Sequence, residues 1–380
     1  ENVQILSSNL VQNGDFSEEG NEEVTNGSFS EQGAELVTNG SFDTDSDWIK
    51  QDGWSISGGS ANTDGTPSKD IKQNNITVVG KHYKYSFTVS NSGVGVIDGR
   101  FRDKSTGNPV VNFSSEGTYE GYFTAIGTFA SFVTLSNNTA SFSIDNVSVK
   151  EVGQDWTIEN TWTIGNSVAN GNGANGGSEE IIQNSVLVVG KEYKATYQVL
   201  NYVSGSVALW KGSGVSLIQR TANNTYTEYF TGASNQIRFR GTNFIGSITN
   251  ISVKEVGQDW NLSTGWSIGD DIINFSNPTG TELYQALSTT IGKYKIKFDL
   301  NITNGTCQTS FTSPGTSTIE NFTTNGTKEV IIETTSNYSR FRFVGIGNSD
   351  FTITNISVLE ITDDTDLPRI NYEGFSYQDV

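Results

Sequence analysis

His82 is the only histidine in this chain and Cys307 the only cysteine. Any acid–base relay or thiol nucleophile must therefore be built on one of these two positions. His82 lies in VVGKHYK (78–84), where a matching stretch, VVGKEYK (188–194), carries Glu192 instead. A strand position that takes either His or Glu reads as a solvent-facing site, and no G-x-S-x-G motif accompanies it. Cys307 has no histidine near it in sequence and reads as an inert thiol. Zinc needs several Cys or His ligands, which the composition does not supply. Acidic residues are plentiful, but they gather in turn-like runs such as DTDSD (43–47) and TDDTD (362–366). Such runs read as solvated loops, with binding of a hard cation as the sharper alternative. They give little support to the paired carboxylates of glycosidic cleavage. The glycine-rich run GNGANGG (171–177) lacks the Lys-Ser or Lys-Thr of a phosphate loop and reads as a hairpin loop. The sequence thus predicts that the protein is not an enzyme.

The composition says what must position any site. Only 34% of residues are hydrophobic, but 11% are aromatic, so Phe, Tyr and Trp can carry the cores. Glycine is abundant, proline scarce, and Asn-Gly and Gly-Gly pairs punctuate the chain, as in proteins of many short strands joined by tight turns. The net charge of −19 argues against nucleic acid as a partner, because binding it needs clustered Lys and Arg. No apolar run is long enough for a membrane helix, so no membrane insertion is expected. A single cysteine allows no intrachain disulfide.

The chain repeats itself. Trp48, Trp156 and Trp260 each follow an Asp, and each is answered six residues later by Trp54, Trp162 or Trp266 in WSIS, WTIG or WSIG. Each unit then has a G-K-x-Y-K or G-K-Y-K strand and ends in IDNVSV, ITNISV or ITNISV. SVKEVGQD occurs unchanged at 148–155 and 252–259, as the last strand of one unit running into the first Trp of the next. Three tandem units of about 105 residues follow, each the size of a β-sandwich. Period-two alternation in KYSFTVS and KATYQVL supports strands. In QIRFRG and SRFRFVG it sets Arg238, Arg240, Arg340 and Arg342 opposite the phenylalanines.

The expected fold is all-β, three tandem sandwiches in a rod: 36–152, 153–256 and 257–362. Residues 363–380 read as a connector. Residues 1–35 stand outside the repeat, as an attachment or pairing segment. QNGDF at 12–16 and TNGSF at 25–29 duplicate the TNGSF at 38–42 that feeds the first domain. With no domain directly following them, they are expected to be loose or to pair with a neighbouring chain. The six repeat tryptophans read as core or packing marks. Aromatics found in one copy alone are freer to bind. Trp210, in SVALWKGSG, is the sharpest candidate for stacking on a sugar ring, with Lys211 and Tyr202 as companions.

LVTNGSF, a Trp about a dozen residues on, the G-K-x-Y-K strand and IDNVSV together resemble the jelly-roll carbohydrate-binding modules attached to polysaccharide-degrading enzymes. That resemblance implies a structural Ca²⁺ in domain one, with Asp145 at a ligand position; Thr249 and Thr354 occupy it in the other copies. No other cofactor is implied. The near-identical tandem copies, followed by TDLPRINYEG, resemble bacteriophage virion proteins of the tail-fibre, head-fibre and decoration type. That family implies a place on the virion surface and other virion proteins as partners. It also implies host cell-surface polysaccharide as a possible ligand, and a homo-oligomer such as a trimer. The alternative is a non-catalytic carbohydrate-binding region of a secreted enzyme, or a bacterial surface adhesin.

Overall fold

The computed structural model describes residues 5–362, apart from 160, 174–178, 213–215 and 278–280. The connector at 363–380 and most of the glycine-rich loop lie outside the described residues. Those that are described form strands and turns, with no helix. Three hydrophobic cores form, one per repeat, and each sits between two sheets. In domain one the first sheet runs Gly117–Thr124, His82–Ser90, Phe142–Val152, Ser60–Thr63, Trp54–Ser57. The second runs Val111–Phe113, Gly99–Arg102, Phe129–Thr134, Asp70–Asn74, Ile49–Lys50. In domains two and three, long strands such as Ile237–Val256 and Arg340–Thr362 pass through both layers and join them into one continuous sheet. The IDN and ITN signatures mark a β-bulge in these closing strands. Asn146, Asn250 and Asn355 all adopt positive φ near +50°, which Asn tolerates better than most residues.

The N-terminal segment departs from expectation. It is neither loose nor reserved for another chain: its three copies pair with the three domains of their own chain, in reverse order. Ile5–Leu6 pairs with Arg340–Thr362 of domain three, Glu19–Glu22 with Ile237–Val256 of domain two, and Gln32–Glu35 with Phe142–Val152 of domain one. The same geometry recurs three times. Phe16, Phe29 and Phe42 bury against Trp260, Trp156 and Trp48 at centroid distances of 5.5, 5.3 and 5.1 Å. The indole nitrogens of those tryptophans donate to the carbonyls of Asn13, Asn26 and Asn39. The carboxamides of Gln285, Gln183 and Gln73 clamp the backbone of Gln12, Thr25 and Thr38, accepting from N–H and donating to C=O. In N-G-x-F, Asn and Phe both adopt positive φ. The Gly lies so close to the closing strand that a Cβ at 14, 27 or 40 would sit 2.1, 1.9 or 2.1 Å from the carbonyl oxygen of Ile356, Ile251 or Val147. A strap of about 40 residues thus runs back along the whole stack.

The strap also limits how far apart the domains can lie. Successive docked asparagines, Asn13, Asn26 and Asn39, are 13 residues apart. At most ~3.5 Å per residue, neighbouring domains are offset by no more than about 45 Å. They touch directly. Tyr122 of domain one packs over Gly165 of domain two, and Tyr229 of domain two over Gly269 of domain three. The duplicated SVKEVGQD is the seam. Gly153 and Gly257 take φ of +68° and +64°, and Ile164 and Ile268 fill the space where their side chains would be. The first Trp then enters the next core. One peptide appears twice because there are two equivalent seams.

Candidate functional site

Outward chemistry concentrates on the second sheet of each domain. In domain two, Ile181, Phe239 and Leu209 point into the core, so Glu180, Arg238, Arg240 and Trp210 point out. Glu180 is deeply covered, and its carboxylate pairs with both Arg238 (3.1 Å) and Arg240. The Arg240 guanidinium lies 3.8 Å from the Trp210 ring centroid, so one face of this indole is already occupied by a cation. Domain three repeats the scheme: Glu282 pairs with Arg342 at 3.1 Å, and Arg340 covers Tyr284 at 4.4 Å.

The structure separates the glycan-contact candidates. Tyr202 lies eight residues before Trp210 on the strand Glu192–Trp210. At ~3.3 Å per residue that is at most about 26 Å, since the strand bulges between them. Its hydroxyl donates to the Gly205 carbonyl and its ring packs on the domain-two core. Lys211 follows Trp210 in the chain, and its charge favours the ionised form of Glu192 at the seam. Asp145 accepts hydrogen bonds from the backbone and side-chain nitrogens of its neighbour Asn146. Among the described residues, no group of three or more His, Cys, Asp or Glu side chains is placed to hold a metal ion.

The seams hold the remaining unusual groups. Clefts of 340 and 360 Å³ open at the two junctions, each bordered by a Lys–Glu pair, Lys81–Glu151 or Lys191–Glu255, at 2.8 Å. His82 and Glu192 occupy the same position at the two seams. They are not the solvent-facing site expected from sequence; both are buried beneath the next domain. His82 Nδ1 shares a 2.9 Å hydrogen bond with Thr124, and the Thr231 hydroxyl donates to Glu192. In domain three, where no described domain follows, Lys293 takes this place, opposite Glu333 and Ile361, and is exposed. Burial disfavours the charged form of each group, lowering the pKa of His82 and raising that of Glu192.

The two shifts have opposite signs in linkage. The His82 contribution is present above its unfolded pKa near 6.5 and is lost as pH falls towards the lower folded value. The Glu192 contribution is present below its unfolded pKa near 4.5 and is lost as pH rises through the higher folded value. Lowering the pH from 7.5 to 5.5 therefore weakens the first seam. Calorimetry should show a downward shift of a melting transition in the wild type and a smaller one in His82→Gln. An equal shift in the variant would assign the effect to another group.

Cys307 is fully buried, and burial pushes its thiol well above the usual range, which keeps it protonated at neutral pH. Sequence reasoning missed the clamping glutamines Gln73, Gln183 and Gln285, and with them the strap's docking slots. The signal was present: a Gln at one register position in IKQN, IIQN and LYQA, and three N-G-x-F copies for three domains.

No protein-family model matches the chain, and no curated protein matches it. Among solved structures, a tandem pair of CBM22 domains from Paenibacillus barcinonensis Xyn10C aligns with 60% of this chain and 99% of its own, at 10% identity and a TM-score of 0.28. A structure described as the triple jelly roll fold and turret assembly in an archaeal virus aligns with 83% of this chain and 90% of its own, at 14% identity and a TM-score of 0.19. At these scores the likeness decides nothing about ligand or role.

Proposed function

We propose that the chain is a non-catalytic structural stalk of a bacteriophage virion, a fibre or surface-decoration component attached at its domain-three end. The observation that carries this reading is the pairing of Leu6 with Ile361. The strap returns the start of the described chain to its end, so both leave the stack at one end and domain one is the far tip. A stack of sandwiches strapped along its length and joined at buried seams holds its tip away from a base. The style of the tandem copies supplies the virion setting. Immunogold labelling of particles purified from the source, with antibody against domain one, should decorate projecting appendages. Particles free of label, with the antigen recovered on a secreted polysaccharide-degrading enzyme, would favour the second reading. That reading, a carbohydrate-binding arm, draws on the outward aromatic and arginine faces.

A further inference from the structure

We infer that the outward face of the second sheet of domain one binds the carboxylate groups of an acidic polysaccharide through Arg100 and Arg102. This inference does not rest on the virion assignment; it holds for a stalk, an adhesin or an enzyme arm alike.

The three copies differ in what their outward arginines face. In domains two and three the outward arginines have an internal acid. Arg240 lies opposite Glu180, and Arg342 pairs with Glu282. In domain one the acid is kept, as Asp70, but its neighbours across the strand pair are Ser131 opposite Lys72 and Val133 opposite Asp70. The arginines have moved one strand further out, Arg102 opposite Ser131 and Arg100 opposite Val133. Two strand spacings, about 10 Å, now separate them from Asp70. Among the described residues neither arginine has an ion-pair partner; Arg102 Nη1 donates only to the Ser105 carbonyl, and the Nε atoms of both are buried without a hydrogen-bond acceptor, as is that of the ion-paired Arg238. Asp103 is no substitute, because its carboxylate turns inward and accepts from the amides of Ile126 and Gly127. Asp70 faces Lys72, at 3.9 Å.

This face therefore presents Arg100, Arg102 and Lys72 against Asp70, with Asp98 two residues before Arg100 at its edge, on a chain whose net charge is −19. Burial and the charge of Arg100 both lower the pKa of the Arg102 guanidinium, with only partial relief from Asp70. An external oxyanion would supply what Glu180 supplies in domain two. Arginine forks match the two oxygens of a carboxylate, which favours them over a diffuse cation patch. Phe129 and the exposed Ile49 lie on the same face and give a sugar ring apolar contact beside the charges. The acidic remainder of the chain repels a polyanion, so contact is confined to this face and weakens with salt.

The test is affinity electrophoresis of the full chain in gels containing polygalacturonate, neutral dextran or polyphosphate, at low and physiological salt. The expected result is retardation by polygalacturonate and not by dextran, reduced by salt. The double variant Arg100→Gln, Arg102→Gln should weaken it at least tenfold, with an unchanged circular dichroism spectrum. Arg340→Gln, on domain three, should leave it unchanged. Val133→Glu gives the arginines an internal carboxylate and should silence the face even if the double variant folds poorly. Absence of retardation by polygalacturonate, or retardation that survives both Arg100→Gln, Arg102→Gln and Val133→Glu, overturns the inference. Retardation by polyphosphate alone overturns the carboxylate assignment.

Discussion

Deleting residues 1–18 should unfold domain three while domains one and two keep their folds. The deletion removes Val11 and Phe16 from the third core, where Phe16 is 1% exposed and packs on Trp260. Truncating a buried Phe alone costs about 3–5 kcal/mol. The deletion also strips the partners of the closing strand, including Ser7 N–H to Glu360 C=O, Leu10 N–H to Val358 C=O and Ile356 N–H to Gly14 C=O. Gln285 then keeps a buried carboxamide with no strap to clamp. These losses rival the whole stability of an ordinary domain, about 5–15 kcal/mol. Limited proteolysis with mass spectrometry should show cleavage throughout the third repeat and protection of the first two. A digest identical to that of the full chain would sink the strap. A fragment cut at the repeat boundaries, residues 36–362, keeps only the last part of the strap and should lose domains two and three to the same cause.

Gly27→Ala should be among the most damaging single-methyl changes in the strap. Its Cβ would stand 1.9 Å from the Ile251 carbonyl oxygen and 2.9 Å from the carbonyl carbon. Backbone must move, and that motion breaks the bond from Ile251 N–H to Gly27 C=O. Overpacking of this kind costs about 3 kcal/mol. Gly20→Ala is the matched control, because its Cβ meets Glu255 atoms at 3.3–3.6 Å and a small shift relieves it. Urea melts followed by tryptophan fluorescence should show a lower midpoint for the domain-two transition in Gly27→Ala, and little change in Gly20→Ala. Equal midpoints for the two variants would mean that the strap does not press on Ile251.

Much of the architecture was legible because it rests on local patterns repeated three times. The tryptophan pairs enter the cores, the arginines of QIRFRG and SRFRFVG point outward, and SVKEVGQD marks a seam. The strap was hidden because alternation identifies a strand without naming its partner. The partner of Leu6 lies some 350 residues downstream, selected by a glycine that permits close approach and a glutamine on a third strand. His82 and Glu192 misled for a related reason: exchange between His and Glu suggests a surface, but here the surface is covered by the next domain. The face of domain one was hidden because its meaning lies in register. GRFR and QIRFRG look alike, yet one set of arginines stands beside a carboxylate and the other a strand beyond it.

The return of the strap to the base also sets how the molecule bears mechanical load. Tension between the two paired ends acts at the open end of the Leu6–Ile361 ladder and meets its bonds one after another. Domain three yields first under that pull, then domain two, then domain one. Tension between tip and base is divided between two parallel paths, the seams and the strap, and the docked segments act together. The stack is therefore built to resist a pull on its tip and to open, in reverse order of synthesis, when its ends are drawn apart.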